Sequence, residues 1–396
     1  MANVLLFPTR RPLTGMSTDR ALRLATRGSD LAMRQAALVQ DRVGTRRRPV
    51  ELIEVETEGD RIRDELIADL GRIGAFVHAL DQEVVDGDCD AAVHSMKDMP
   101  TEFADGIVVA AVPERAAAGD LLVTRNGKRL DDLHEGAVVG TSSLRRTAQL
   151  LHARSDLDVR PLRGNVDTRI EKLLAPDLQR EHERRMDADD EHSTEMREYN
   201  VDPEGVLDDE NEELDDPDED GSEFDQTVEE WFDGLSELER GALGREYDHE
   251  YDALVLAEAG LERSGLRHKI GTTRLPTDEF VPAPAQGAIA ITASDEAVVS
   301  RLRQKLDHAP TRVAVTVERT VLAELGGGCV APLGVHATVQ GDTVNVRTQV
   351  LSTDGTEVVE ATRELPVGSH AEAAREFAAE LAGRGADDLI AAAAEE

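Results

Sequence analysis

Leu22-Arg23-Leu24-Ala25-Thr26-Arg27-Gly28-Ser29-Asp30-Leu31 is the stretch whose reading decides the fold. Leu22 to Thr26 has the length and apolar content of a short strand, and Ser29 has the chemistry of a helix N-cap. The helix that follows carries Leu31, Gln35, Leu38 and Val39 at helical spacing. The same grammar recurs downstream. Val50-Glu-Leu-Ile-Glu-Val55 reads as a second strand and Ala91-Ala-Val-His94 as a third. Val138-Val139-Gly140 leads through Thr141-Ser142-Ser143 into a helix with Leu144, Ala148 and Leu151 on one face. Val159-Arg-Pro-Leu-Arg163 leads through Gly164-Asn165 into a helix with Val166, Ile170, Leu173 and Leu174. Strands alternating with helices predict an α/β fold of mainly parallel sheets covered on both faces.

After about residue 308 the pattern changes. A helix over 313–325 precedes three alternating strands with turns at Gly341-Asp342 and Asp354-Gly355, and an Ala-rich helix starts near His370. That predicts a small α+β domain with a three-stranded antiparallel sheet. The interval 176–250 breaks the rhythm differently, with 31 acidic residues against 6 basic ones. Its stretch Asp208–Gly221 has too little apolar content to build a core, so the interval reads as a solvated acidic insertion. Asp216, Asp218, Asp220 and Gly221 match half of a calcium loop, but Thr227 stands where the bidentate Glu belongs, so no metal site is expected.

The chain of 396 residues has room for two or three domains. Two cysteines in that length exclude a disulfide framework and fit a reducing cytosol. No apolar run approaches the ~20 residues that span a bilayer. The arginines near the start follow the short apolar stretch, the reverse of a secretory signal. Residues 1–19 read as a flexible extension, with Met16 an alternative start. The formal net charge is −37, of which −25 lies in 176–250, and only five residues are lysine. Such a balance argues against nucleic acid and anionic membranes as partners, and suits a protein kept soluble at high salt.

The candidate chemistry lies where helices begin. Arg27 precedes the Ser29 cap, Arg145 and Arg146 fall in the first turn after Ser143, Arg163 precedes Gly164, and Arg169 follows. A cation at a helix N-terminus opposes the macrodipole by about 0.3–1 kcal/mol, so several together point to a bound anion with many carboxylates or phosphates. No Walker phosphate loop or GxGxxG fingerprint accompanies them, which disfavours a nucleotide. His94-Ser-Met-Lys97-Asp98-Met-Pro100 sets an amine beside an acid in a tight turn, suited to proton transfer or to capping backbone amides. Cys329 follows Gly326-Gly327-Gly328, where its thiol can be a nucleophile, a cofactor anchor or a buried hydrophobe.

Taken together, Leu24-Ala-Thr-Arg-Gly-Ser29, His94–Pro100, Gly140-Thr-Ser-Ser-Leu-Arg-Arg146, Leu162-Arg-Gly-Asn-Val-Asp-Thr-Arg169, Ala259-Gly-Leu-Glu-Arg263, Pro284-Ala-Gln-Gly-Ala288 and Gly326–Cys329 resemble the porphobilinogen deaminase (hydroxymethylbilane synthase) family. The resemblance covers roughly residues 20–175 and 250–390. It implies two domains like type-2 periplasmic binding proteins, at 20–114 plus 286–306 and at 115–285, and a C-terminal cofactor-anchoring domain at 307–396. It further implies a dipyrromethane cofactor on Cys329, Asp98 as catalytic acid/base, and Arg27, Lys97, Arg145, Arg146, Arg163, Arg169 and Arg263 as carboxylate ligands. Ser29, Thr141 and Ser143 would add hydrogen bonds. The implied activity joins four porphobilinogen units, releasing ammonia each time, in a cytoplasmic monomer with no metal. The family's loop lysine is replaced here by Ile73, beside Arg72. A two-lobed carboxylate-binding protein and an inactive deaminase homologue are the competing readings.

Overall fold

The computed structural model describes residues 20–55, 73–101, 103, 105–199, 224–326 and 331–395, with backbone alone at 73–76 and 190–199. The first lobe opens with β1 (Leu22–Thr26), α1 (Asp30–Val43), β2 (Val50–Glu54), α2 (Ile73–Val85), β3 (Ala91–Ser95) and β4 (Val108–Ala111). The chain then crosses to the second lobe: β5 (Asp120–Thr124), β6 (Val138–Gly140), α3 (Leu144–Ala153), β7 (Asp158–Arg160), α4 (Val166–Tyr199), α5 (Val228–Gly234), α6 (Glu237–Leu243), β8 (Ala253–Ala257), α7 (Glu258–Ser264) and β9 (Gly271–Arg274). It returns to the first lobe with β10 (Ile289–Ala293) and α8 (Glu296–Leu306). The third domain follows as α9 (Ala309–Glu324), β11 (Leu333–Gln340), β12 (Thr343–Leu351), β13 (Val358–Pro366), α10 (His370–Ala382) and α11 (Ala386–Glu395).

The two lobes repeat one plan. Their sheets run β2-β1-β3-β10-β4 and β7-β6-β8-β5-β9. In each, the first three strands pair in parallel and the fourth is antiparallel to both neighbours. That antiparallel strand comes from a crossing segment, β10 after the second lobe and β5 after the first. Each lobe thus holds a mixed, mainly parallel sheet, as the sequence pattern predicts. This arrangement aims the C-terminal ends of β1 and β3 in one lobe, and of β6, β7 and β8 in the other, where open α/β sheets hold ligands. The third domain is the expected antiparallel sheet, with Val335, Val344, Val346 and Phe377 in its core.

Two helix faces depart from the apolar spacing. In α1 the buried residues are Gln35, Ala36, Val39 and Val43, and Leu38 is 46% exposed. In α3 the buried face is Arg145, Arg146, Ala148, Gln149 and Leu150, and Leu144 lies outward. A buried carboxylate, described below, outbids the leucines for that face. The acidic interval is also less detached than its composition suggests. Helix α4 runs through Pro176 to Tyr199, and α6 packs back on it with Leu238 and Ala242 buried. Gln179 donates to the carbonyls of Ala242, Leu243 and Arg245, and the Arg245 guanidinium pairs with Glu171. Gln179, Arg180 and residues 237–250 are therefore part of the second lobe's framework. Asp208–Gly221 lies outside the described residues.

One buried acid ties the three domains together. Glu318 of α9, fully buried, takes the Arg115 guanidinium at 2.7 Å and accepts from the amides of Ala285 and Ala337. Arg115 and Ala285 belong to the two crossing segments, and Ala337 to β11. Ala285 has a φ of 59°, a left-handed conformation rare for a residue with a Cβ, and its amide bond to Glu318 helps hold it there. Glu318→Ala strands a buried guanidinium and two amides, so it is expected to cost about 3–5 kcal/mol. Urea unfolding checks this; Glu318→Gln should cost less.

Candidate active site

On the first lobe, Arg27 and Ser29 follow β1, and Lys97 and Asp98 sit in the 3-10 turn Met96–Asp98 that follows β3. Because β1 and β3 are parallel neighbours, the two loops emerge side by side. The Ser29 hydroxyl accepts from the Ala32 amide, confirming the cap. Arg27 and Lys97 are half-buried and Asp98 is exposed.

The second lobe supplies Thr141 and Ser143 after β6, Arg163 after β7, Arg169 in α4 and Arg263 in α7. Ser142 stitches two of these loops together: its hydroxyl donates to the Leu162 carbonyl and accepts from the Leu162 amide. Tyr251 donates to the Pro161 carbonyl at 2.6 Å and packs against Gly140, where a Cβ would come within 2.9 Å of the ring. Burial, with Asp248 adding to it, pushes the Tyr251 phenol up to about 12 although Arg169 opposes the shift. The phenol therefore stays a neutral donor across the working pH range.

Beneath these loops lies Asp120, the first residue of β5 and fully buried. Its carboxylate takes Arg146 at 2.7 Å on one oxygen and Arg145 at 2.8 Å on the other, and accepts from the Gln286 amide at 2.9 Å. Burial alone would raise this carboxyl. The guanidiniums of Arg146 and Arg145 outweigh it and hold the group well below the usual carboxylate range. Arg145 is further engaged by Gln149 at 2.7 Å and by the Val281 carbonyl at 3.0 Å. The sequence grouped Arg145 with the ligand arginines. In the fold its guanidinium joins α3 to β5 through Asp120, as does that of Arg146, which also donates to the Val255 carbonyl at 3.2 Å.

Arg169 and Arg263, by contrast, are shifted mainly by burial. Burial, reinforced by repulsion from Arg146, pushes the Arg169 guanidinium down to about 10, against a weaker opposing effect of Tyr251. The hydrogen bond recorded for Arg169 goes from Nε to the Gly164 carbonyl. Arg263 is also pushed down by burial, and donates to the Gly287 carbonyl at 2.7 Å. The Nε of Arg146 is buried without a partner. Partly desolvated cations facing each other call for an anion with several carboxylates. Cys329 and Arg72 lie outside the described residues, as does the side chain of Ile73, which opens α2. No cluster of metal-ligating residues occurs among the described residues.

The model of the porphobilinogen deaminase dipyromethane cofactor binding domain matches residues 22–180 and 237–300, and that of the porphobilinogen deaminase C-terminal domain matches 313–383. The chain belongs to the porphobilinogen deaminase family. It is 57% identical to a probable porphobilinogen deaminase of Halobacterium salinarum, over 94% of this chain and 98% of that protein. It is 36% identical to the porphobilinogen deaminase of Desulforudis audaxviator, over 94% and 97%. A probable porphobilinogen deaminase of Methanococcoides burtonii is 31% identical, over 93% and 95%. The two porphobilinogen deaminase models leave 181–236 unmatched. The partly desolvated Arg169 and Arg263 fit the family's dipyrromethane, a cofactor that bears carboxylates.

Sequence reasoning missed Asp120, Gln286, Ser142 and Tyr251 as parts of the site. A signal existed for the first, an acid opening the apolar run Asp120-Leu-Leu-Val-Thr124. Asp120→Asn should destabilise the protein at pH 7 by about 3–5 kcal/mol, since two buried guanidiniums lose their counter-charge. A depressed carboxyl contributes stability above its ordinary value of 3.8 and loses it as pH falls through the folded value. The gap in urea midpoint between variant and wild type should therefore be widest at neutral pH and shrink below about pH 3.8.

Proposed function

We propose that this chain joins four porphobilinogen molecules head to tail on a dipyrromethane primer held through a thioether by Cys329, and then frees the linear tetrapyrrole hydroxymethylbilane by hydrolysis. In each step the aminomethyl C–N bond breaks, ammonia leaves, a C–C bond forms to the chain end and that carbon loses a proton. When bound, the dipyrromethane supplies the nucleophilic carbon for the first step. Asp98 assists loss of the amine, accepts protons and stabilises the positive charge that develops on the pyrroles. Arg27, Lys97, Arg146, Arg163, Arg169 and Arg263 hold acetate and propionate groups, with Ser29, Thr141 and Ser143 adding hydrogen bonds. Arg145 serves that set by fixing Asp120 and hence Arg146.

The single observation that supports this reading best is the contrast between the two lobes' loops. The exposed acid Asp98 follows β3, and the half-buried Arg169 and Arg263, both pushed down by burial, stand in the second lobe. A substrate with two carboxylates per ring and a cationic intermediate needs both. The enzyme is proposed to act as a cytoplasmic monomer; no helix among the described residues is long and apolar enough to cross a membrane.

Asp98→Asn should lower kcat for ammonia release by about 10²–10⁴-fold while KM changes little. Cys329→Ser should be inactive although folded. Normal turnover by either variant would overturn the assignment.

A further inference from the structure

Arg319 lies one turn past Val315 on α9, the helix that leads to the Gly326–Cys329 loop. It reaches out of the third domain into the first. Its Nη1 donates to the carbonyls of Met96 at 3.2 Å and Met99 at 3.1 Å, and its Nη2 to the carbonyl of Pro100. The guanidinium also lies 5.8 Å from the Phe103 ring centroid. Beneath it, Val315 packs with Met96 and Met99 in one buried cluster. The Met96 amide donates to Ala288 and the Met99 amide closes the turn on Met96. Neither contact ties the segment to the third domain.

Three carbonyls converging on one guanidinium fix a short loop more tightly than a single bond can. A planar fork presents its donors in set directions, and a lysine ammonium cannot reproduce that spread. The carbonyls belong to residues flanking Lys97 and Asp98, so the position of the Asp98 carboxylate is set from α9. The same helix sets where the Cys329 loop begins. Glu318, next in sequence, grips the crossing segments at Arg115 and Ala285. One dipeptide thus fastens the third domain to the lobe hinge and to the acid-bearing turn.

We propose that Arg319 is a positioning residue for Asp98, holding the Met96–Pro100 turn in fixed register with α9. Its kinetic consequence rests on the deaminase reading above; its structural consequence does not. Arg319→Lys keeps the charge and can serve one carbonyl at a time, whereas Arg319→Met removes the donors altogether. Hydrogen exchange of the peptide 95–101 should accelerate in both, more in Arg319→Met, with β1 and β5 unchanged. For porphobilinogen, kcat should fall by about 10–100-fold in Arg319→Lys with KM little changed, since displacing a reacting group by about 1 Å costs that much.

Unchanged exchange at 95–101 in the lysine variant overturns the proposal. So does accelerated exchange with wild-type kcat, because the turn would then move without consequence for Asp98. If Arg319→Met fails to fold, the lysine variant alone decides. A wild-type protein that does not turn over porphobilinogen refutes the proposed function instead, and the exchange comparison still tests whether Arg319 holds the turn.

Discussion

Burying the carboxylate of Asp120 at the start of β5 sets a charge problem that much of the second lobe is arranged to solve. A lone carboxylate in that position would cost on the order of several kcal/mol. Two guanidiniums and an amide surround it, and together they turn α3 so that its arginines point inward. The solution is lopsided: two positive charges face one negative. Burial, with repulsion from Arg146 adding to it, depresses the neighbouring Arg169 guanidinium. The proposed polyanionic ligand would complete this balance, so the cluster that orders the lobe would also prepare its binding face.

The crossing segments extend that ordering across the molecule. Gln286, from the segment entering β10, donates to the carbonyl of Ala118 and to Asp120. One residue earlier, Ala285 is held by Glu318 of the third domain. Gln149 of α3 donates to Gln349 of β12, and His152 contacts the Gly355 carbonyl at the turn before β13. The third domain therefore braces the hinge and the second lobe, and through Arg319 it reaches the turn bearing Asp98. A domain that only carried a tether would need none of these contacts.

Much of this was legible in the chain. Strand and helix order followed from local patterns because Ser29, Ser142-Ser143 and Gly164-Asn165 mark strand-to-helix junctions with unambiguous turn chemistry. The antiparallel strand of each sheet was not, since Asp120–Thr124 and Ile289–Ala293 are continuous apolar runs whose direction depends on which lobe the chain has entered. The inward face of α3 was misread for a similar reason. Leu144 and Leu151 have the right spacing, but Asp120, distant in sequence, decides that Arg145 and Arg146 are buried. Arg145 and Arg146 could be grouped with the anion ligands from their motif, and only the fold shows that both also hold Asp120, which is distant in sequence. Within the acidic interval, Gln179 and Leu238 build structure that composition does not reveal.

The central claim is that the excess positive charge of the cleft is matched by a polyanion anchored on the chain itself. Intact-mass measurement of freshly purified protein, followed by peptide mapping, tests it most directly. The account predicts that the peptide containing Cys329 carries a two-pyrrole adduct in essentially the whole population. Folded, soluble protein that turns over porphobilinogen with a bare Cys329 thiol would contradict it.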